Sequence, residues 1–387
     1  MATRLTARAL MDRLVSFPTV SRDSNLALID WVEAYLASWG VTSHRVWNAD
    51  RTKASLYANV GPMVPGGVVL SGHTDVVPVD GQAWTSDPWQ VTERDGRLYG
   101  RGTCDMKGFD ALALWAVPLA LEAGVKRPLQ IALSYDEEVG CLGAPPMIAD
   151  MVKTLPKAAA VVVGEPSMMK AVSGHKGGTG FATHVEGFEV HSSLLHTGVN
   201  AIMAGAKLID WANQMNAENA ARTPGPLAAM FVPPYTTVHV GMISGGTAHN
   251  ITAKDCRFSL DFRVVPGEDM ATWDAAYKAK VAEVEAMMKA VRPEAAIHLE
   301  RRFTVTPLKP EPGGASEALV RRLTGDNDSH VVSYGTEAGQ FQDGGYSAIV
   351  CGPGDIAQAH QPDEFISVAQ FEAGQEFMRR LVAELAG

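Results

Sequence analysis

Pro128-Leu129-Gln130-Ile131-Ala132-Leu133-Ser134 runs without a break into Tyr135-Asp136-Glu137-Glu138. A short, nearly continuous apolar run reads as a strand buried on both faces. Three acids directly after it place charge at the strand's carboxyl end. Two other stretches follow the same rule. Val68–Leu70 leads into Ser71-Gly72-His73-Thr74-Asp75, and Ala158–Val163 leads into Gly164-Glu165-Pro166-Ser167. Helical patterns cover Asn25–Ser38 and Gly108–Ala123. Alternating strands and helices predict an α/β layer structure, a mixed sheet covered by helices. In open α/β sheets ligands bind beyond the carboxyl ends of strands, which is where His73, Glu137, Glu138 and Glu165 fall.

Two further segments carry the same residue types: Gly100-Arg101-Gly102-Thr103-Cys104-Asp105 and Gln358-Ala359-His360-Gln361-Pro362. The five segments together offer two imidazoles, three carboxylates for metal and one carboxylate to spare. His73 and Asp75 are two apart, so in extended backbone both point to one face, the pattern of a metal ligand and its orienting partner. The turn before Asp105 lacks the third glycine of a dinucleotide loop. Asp105 suits a helix N-cap or a carboxylate that bridges two metal ions. Adjacent glutamates can divide two tasks, one binding metal and the other taking a proton from water. Each residue alone also suits a solvated loop or turn. Five in one coherent α/β layout point to a metal centre. The chain has no G-x-S-x-G elbow, no G-x-x-x-x-G-K-[ST] phosphate loop and no H-E-x-x-H pair.

The chain has 387 residues, 46% hydrophobic and 20% charged, enough for two domains of ordinary globular composition. A net charge of −10 disfavours a nucleic-acid partner and leaves a small cationic substrate open. Cys104, Cys141, Cys256 and Cys351 are scattered, with no C-x-x-C pair, as expected in a reducing compartment. Charged residues interrupt the first helix pattern, so no signal peptide is expected, nor is any run long enough to span a bilayer. These readings predict a cytoplasmic chain with no membrane partner. From Gly177 the texture changes. Gly178–Val185, Thr236–Ile243, Cys256–Val264 and Ala296–Val305 read as strands, with helices over Asn200–Met215 and within Pro266–Val291. That order predicts a small antiparallel sheet with helices on one face, a ferredoxin-like α+β domain. It is expected as an insertion, residues 177–305, into a discontinuous metal-binding domain of residues 1–176 and 306–387.

With its five metal-type segments in order, the chain resembles the dinuclear zinc M20 peptidases and deacylases. The resemblance implies a zinc-peptidase-like catalytic domain and an inserted lid that mediates homodimerisation. It implies that Asp105 bridges two divalent ions, most simply zinc with cobalt as an alternative. His73 and Glu165 would complete one site, Glu138 and His360 the other. Asp75 would orient His73, and Glu137 would be the general base. In the lid, the segment holding His191-Ser192-Ser193 resembles the one whose histidine reaches across the dimer to the substrate carbonyl. Asn250 and Arg263 match lid residues that hold a substrate carboxylate; an Arg fork suits that task. Ser333-Tyr334-Gly335-Thr336-Glu337-Ala338-Gly339 resembles the T-E-A version of one deacylase branch, which makes Gly335 and Glu337 substrate-binding candidates. Glu337 would pair a substrate ammonium. The G-T-S-D and H-x-x-N-E runs of the desuccinylase branch are missing. The implied activity is hydrolysis of a small N-acyl amino acid. An alternative of another class is a silent relative that binds amino acids or peptides; the complete ligand set and Glu137 argue against it.

Overall fold

Every residue of Leu129–Ser134 is buried, and so is every residue of Val68–His73 and Ala160–Pro166. These three strands hold the centre of the larger sheet in the structure, a computed structural model that describes residues 3–387. The chain falls into two compact units. One comprises residues 1–174, 308–331 and 336–387; the other comprises 175–307 and 332–335. These limits assign His175, Lys176 and the short segment 332–335 to the second unit, a few residues away from the boundaries expected from sequence texture.

In chain order the first stretch contains α1 (Ala7–Val15), α2 (Leu26–Ser38), β1 (Ser43–Trp47), β2 (Ala54–Val60), β3 (Val68–His73), β4 (Thr92–Arg94), β5 (Arg97–Tyr99), α3 (Lys107–Ala123), β6 (Leu129–Ser134), α4 (Ala144–Thr154), β7 (Ala160–Pro166) and β8 (Val172–His175). The second stretch contains β9 (Gly177–Glu186), α5 (Ala201–Ala221), β10 (Thr237–Gly245), β11 (Asp255–Val264), α6 (Met270–Lys289) and β12 (Ala296–Val305). The last adds α7 (Ala315–Thr324), β13 (His330–Val332), α8 (Ala338–Asp343), β14 (Ala348–Gly352), β15 (Phe365–Ser367) and α9 (Val368–Ala386).

The larger sheet has eight strands in the order β1-β2-β6-β3-β7-β14-β8-β13. β3 runs parallel to β6 and β7, and β14 parallel to β7, whereas β2 is antiparallel to β6. The sheet is mixed, as the sequence predicts. Its register pairs His73 with Ser134 and Ser71 with Val163, so the parallel strands end side by side. Helix α3 is apolar on nearly all faces and packs between the sheet and helices α1 and α9. Such a helix belongs in a core. Gly124 closes it in the left-handed conformation, φ +60°, which a glycine adopts without Cβ strain.

The second unit places β9 between β11 and β12, all antiparallel, in the order β10-β11-β9-β12. This is the ferredoxin-like order expected from the strand and helix sequence. Phe181, Trp211, Phe262 and Tyr277 form its core, with the Trp211 and Tyr277 rings stacked at 5.6 Å. Helix α5 extends six residues beyond the expected end at Met215. Asn216 exchanges hydrogen bonds with the Val238 backbone (2.6 and 2.8 Å), and Asn219 donates to the Thr236 carbonyl. These contacts with β10 hold the last turns where apolar periodicity no longer marks them.

Candidate metal centre

Three of the donor segments leave the sheet at the ends of adjacent strands. His73 is the last residue of β3, Glu165 is the sixth residue of β7, and Glu137 and Glu138 lie just past β6. Asp105 sits in the turn that precedes α3, and His360 lies between β14 and β15. His73 Nδ1–H donates to the Asp75 carbonyl at 2.9 Å. A carbonyl only accepts, so in the neutral ring Nε2 keeps its lone pair for a metal. Nε2 lies 3.0 Å from Asp105 Oδ1 and 3.8 Å from Glu165 Oε1. On the other side, His360 Nε2 lies 3.2 Å from Asp105 Oδ2 and 3.0 Å from Glu138 Oε2. Asp105 thus turns one oxygen toward each imidazole. One donor atom each from His73, Asp105 and Glu138 lies within 4.8 Å of the others, and so does one each from His73, Glu137 and Glu165.

The electrostatics fit cations. Burial pushes the Glu137 carboxyl up to about 8, with His73 offsetting part of the rise and Glu138 and Asp105 adding to it. Burial and Asp105 raise Glu138 to about 7, and Glu165 stands well above the usual carboxylate range for the same reasons. Hydrogen bonds that His360 donates to Asp105 and Glu138 raise its imidazole to about 10. Burial would lower His73, but the Asp105 and Asp75 carboxylates outweigh it and raise this imidazole well above normal. Glu138 Oε1 is buried and has no hydrogen-bond partner, a cost that a metal ligand would not incur. Four buried carboxylates and two imidazoles are a donor set for zinc or a similar ion.

Asp75 faces His73 with both its carboxylate and its backbone carbonyl. Its carboxylate is 3.6 Å from His73 Nδ1, and its backbone carbonyl holds the ring. The carboxylate oxygens also accept from Glu137 N (3.1 Å), Glu138 N (3.3 Å) and Ser21 Oγ (2.7 Å). Cys141 Sγ donates to Glu137 Oε1 at 3.2 Å. Glu337 is sequestered. It is 1% exposed, and its two oxygens accept from Ser71 Oγ (2.5 Å) and Ser134 Oγ (2.7 Å). It lies beneath the strand ends rather than on a surface that a substrate ammonium can reach.

The second unit brings His191 and Asn250 together. Ser192 N donates to Asn250 O at 2.9 Å, and His191 bridges to Ile251. The exposed His191 ring bonds Ser193 Oγ at 2.8 Å. Arg263 lies at the other end of β11, roughly 25 Å away along the strand, with Nε 3.5 Å from Asp261. One copy of this unit therefore does not join Asn250 and Arg263 around a single carboxylate. Gly335 belongs to the short segment beside β12, where a Cβ would meet Val305 at 3.1 Å.

Sequence reasoning missed the supports of the site. Glu364, Arg101 and Gln82 surround the Asp105 turn, and Lys53 pairs with Asp136 at 2.5 Å. The available signal was proximity: Glu364 follows His360 by four residues, and Arg101 precedes Asp105 by four.

Carboxylates and imidazoles gathered beside the ends of parallel strands, with His73, Asp105 and Glu165 buried, are the site of a metal-dependent hydrolase. Residues 69–384 match the model of Peptidase family M20/M25/M40, and the chain belongs to that family. It is similar to the acetylornithine deacetylase of Myxococcus xanthus, 34% identical over 98% of this chain and 97% of the relative. It is also similar to the acetylornithine deacetylase of Proteus mirabilis (strain HI4320), 33% identical over 96% and 95% of the two chains. Among solved structures, an M20 family metallo-carboxypeptidase from Sulfolobus solfataricus superposes with a TM-score of 0.80 at 17% identity, covering 99% of each chain. A dinuclear metal-binding M20 peptidase from Bacillus subtilis gives 0.64 at 14% identity, covering 98% and 97%. These structures share the fold. No helix among the described residues is long and apolar enough to cross a membrane.

Proposed function

We propose that the chain is an acetylornithine deacetylase, converting N2-acetyl-L-ornithine and water to L-ornithine and acetate in arginine biosynthesis. The observation that carries this reading is the likeness to named acetylornithine deacetylases over nearly the whole chain, 33–34% identical, with His73, Asp105, Glu138, Glu165 and His360 brought together. His73, Asp105 and Glu165 would hold one divalent ion, and Asp105, Glu138 and His360 the second. When bound, the two ions, zinc or cobalt, polarise the amide carbonyl and acidify the attacking water. Glu137 takes a proton from that water as its oxygen bonds to the acyl carbon, then delivers the proton to the departing amine nitrogen as the C–N bond breaks. Asp75 holds the Glu137–Glu138 turn by its backbone N–H groups.

The lid roles belong to a homodimer in this reading. Strand β10 is a sheet edge, with Met242 and Ile243 72% and 56% exposed, and an apolar edge suits a partner copy. His191 and Asn250 from one subunit would then serve the site of the other, where Arg263 binds the substrate carboxylate. The distance between Asn250 and Arg263 within one unit supports this division. The four cysteines, all buried and free, are in keeping with cytoplasmic action.

Burial of Glu337 favours a second reading, another N-acyl amino-acid hydrolase, because the expected partner for the ornithine ammonium is withdrawn. A hydrolysis panel separates the two. N-acetylornithine, N-acetylmethionine, N-formyl amino acids, succinyl-diaminopimelate and dipeptides are compared on metal-analysed protein. N-acetylornithine is expected to give the highest kcat/KM. A clear preference for another substrate transfers the assignment to it, and no hydrolysis by the two-metal form leaves a binding protein.

A further inference from the structure

We propose that Glu364 is the positioning residue of the metal centre, tying the turn that carries Asp105 to the loop that carries His360. The inference rests on the dinuclear reading above. Glu364 is 1% exposed. Its Oε1 accepts three backbone N–H groups, from Gly102 (3.0 Å), Cys104 (2.9 Å) and Asp105 itself (3.0 Å). Its Oε2 accepts from Arg101 Nη1 at 2.5 Å, in an ion pair with both side chains buried. The turn is wrapped around one carboxylate, which sets the direction in which Asp105 leaves it. Gly100 N completes the wrap by donating to the Glu364 carbonyl at 2.9 Å.

The same side chains reach His360. Arg101 Nη2 donates to Gln82 Oε1 at 2.7 Å, and Gln82 Nε2 donates to the His360 carbonyl at 3.0 Å. His360 needs this hold. Its φ is +63° and that of Asp363 is +56°, conformations that non-glycine residues keep only when their surroundings enforce them. Asp363 is fixed in turn by Thr85, whose N and Oγ1 each donate to its carboxylate at 2.9 Å. Glu364 thus orders two ligands that lie about 250 residues apart in sequence, the task of outer partners in metal sites.

The test is metal affinity, read without substrate. Metal-free wild type and Glu364→Gln are titrated with zinc against a competing chelator, and the absorption of their cobalt forms is compared. Glu364→Gln is expected to bind at least one ion ten- to a hundredfold more weakly, with an altered cobalt spectrum and with turnover recovered in excess metal. A folded variant whose affinities match wild type within about twofold overturns the proposal, even if its melting temperature drops. If Glu364→Gln does not fold, Gln82→Leu decides. Weaker binding by the folded protein supports the link to His360, and unchanged binding overturns it. Failure of wild type to take two ions would instead refute the dinuclear reading.

Discussion

Glu137 and Glu138 are neighbours in one turn, yet their carboxylates face different partners. Glu138 Oε2 meets His360, whereas Glu137 Oε1 accepts the Cys141 thiol and its backbone is held by Asp75. Glu137→Ala is expected to keep its metal content and lose turnover by about a hundredfold to ten-thousandfold, as removal of a general base does. Near-normal turnover in a metal-replete variant would end that assignment. A second prediction concerns His175, which is buried, donates through Nδ1–H to Lys176 O, and leaves Nε2 unpartnered. Burial holds its imidazole down to about 4 from 6.5. The unfolded chain therefore binds a proton that the folded one refuses. The His175 contribution is intact above pH 6.5 and declines toward pH 4, by an amount on the order of 3 kcal/mol. His175→Gln should flatten this part of the stability profile in urea unfolding between pH 7 and 4.5; an unchanged profile would refute it.

At the scale of elements, the end of β7 is shaped by close approach. A Cβ on Gly164 would lie 2.0 Å from the Phe109 ring of α3, and one on Gly352 of β14 would lie 1.9 Å from the Gly164 carbonyl. Gly164→Ala must push α3 or β7 aside, next to Glu165. It is expected to cost about 1–3 kcal/mol and to weaken metal binding, both measurable by denaturant titration with and without zinc. The strands that carry the donors were legible in sequence because Val68–Leu70, Leu129–Ser134 and Ala160–Val163 are apolar runs that end in metal-type residues. The supports were not. Glu364 acts through three backbone N–H groups, and such bonds leave no residue type behind to read. The setting of Glu337 was not legible either, because a motif does not tell whether a side chain turns beneath the sheet to meet Ser71 and Ser134.

At the scale of the whole molecule, the division into two units separates the donors from the proposed substrate contacts. His73, Asp105, Glu137, Glu138, Glu165 and His360 all belong to the first unit, and His191, Asn250 and Arg263 to the second. If His191 acts across a dimer, mixing inactive Glu137→Ala with inactive His191→Ala should restore activity after the subunits exchange, since some mixed dimers pair one intact Glu137 with one intact His191. Absence of recovery despite proven exchange would refute action in trans. The order βαββαβ of the second unit was legible from alternation in Gly178–Val185 and Cys256–Val264. The place of Arg263 at the far end of β11 was legible too, since it is the next-to-last residue of the Cys256–Val264 run.

The insertion also has a consequence in time. β14 pairs with β7, yet the entire second unit is encoded between them. At 5–20 residues per second, a ribosome needs roughly ten to forty seconds to make the intervening chain. Through that interval the nascent chain carries β7 as an open parallel edge, a surface that other chains can pair with. The His360 imidazole is translated later still, so the donor set is completed only after β14 has been made. The inserted unit can complete its own sheet from contiguous chain during this wait, before the strand that covers β7 has been made.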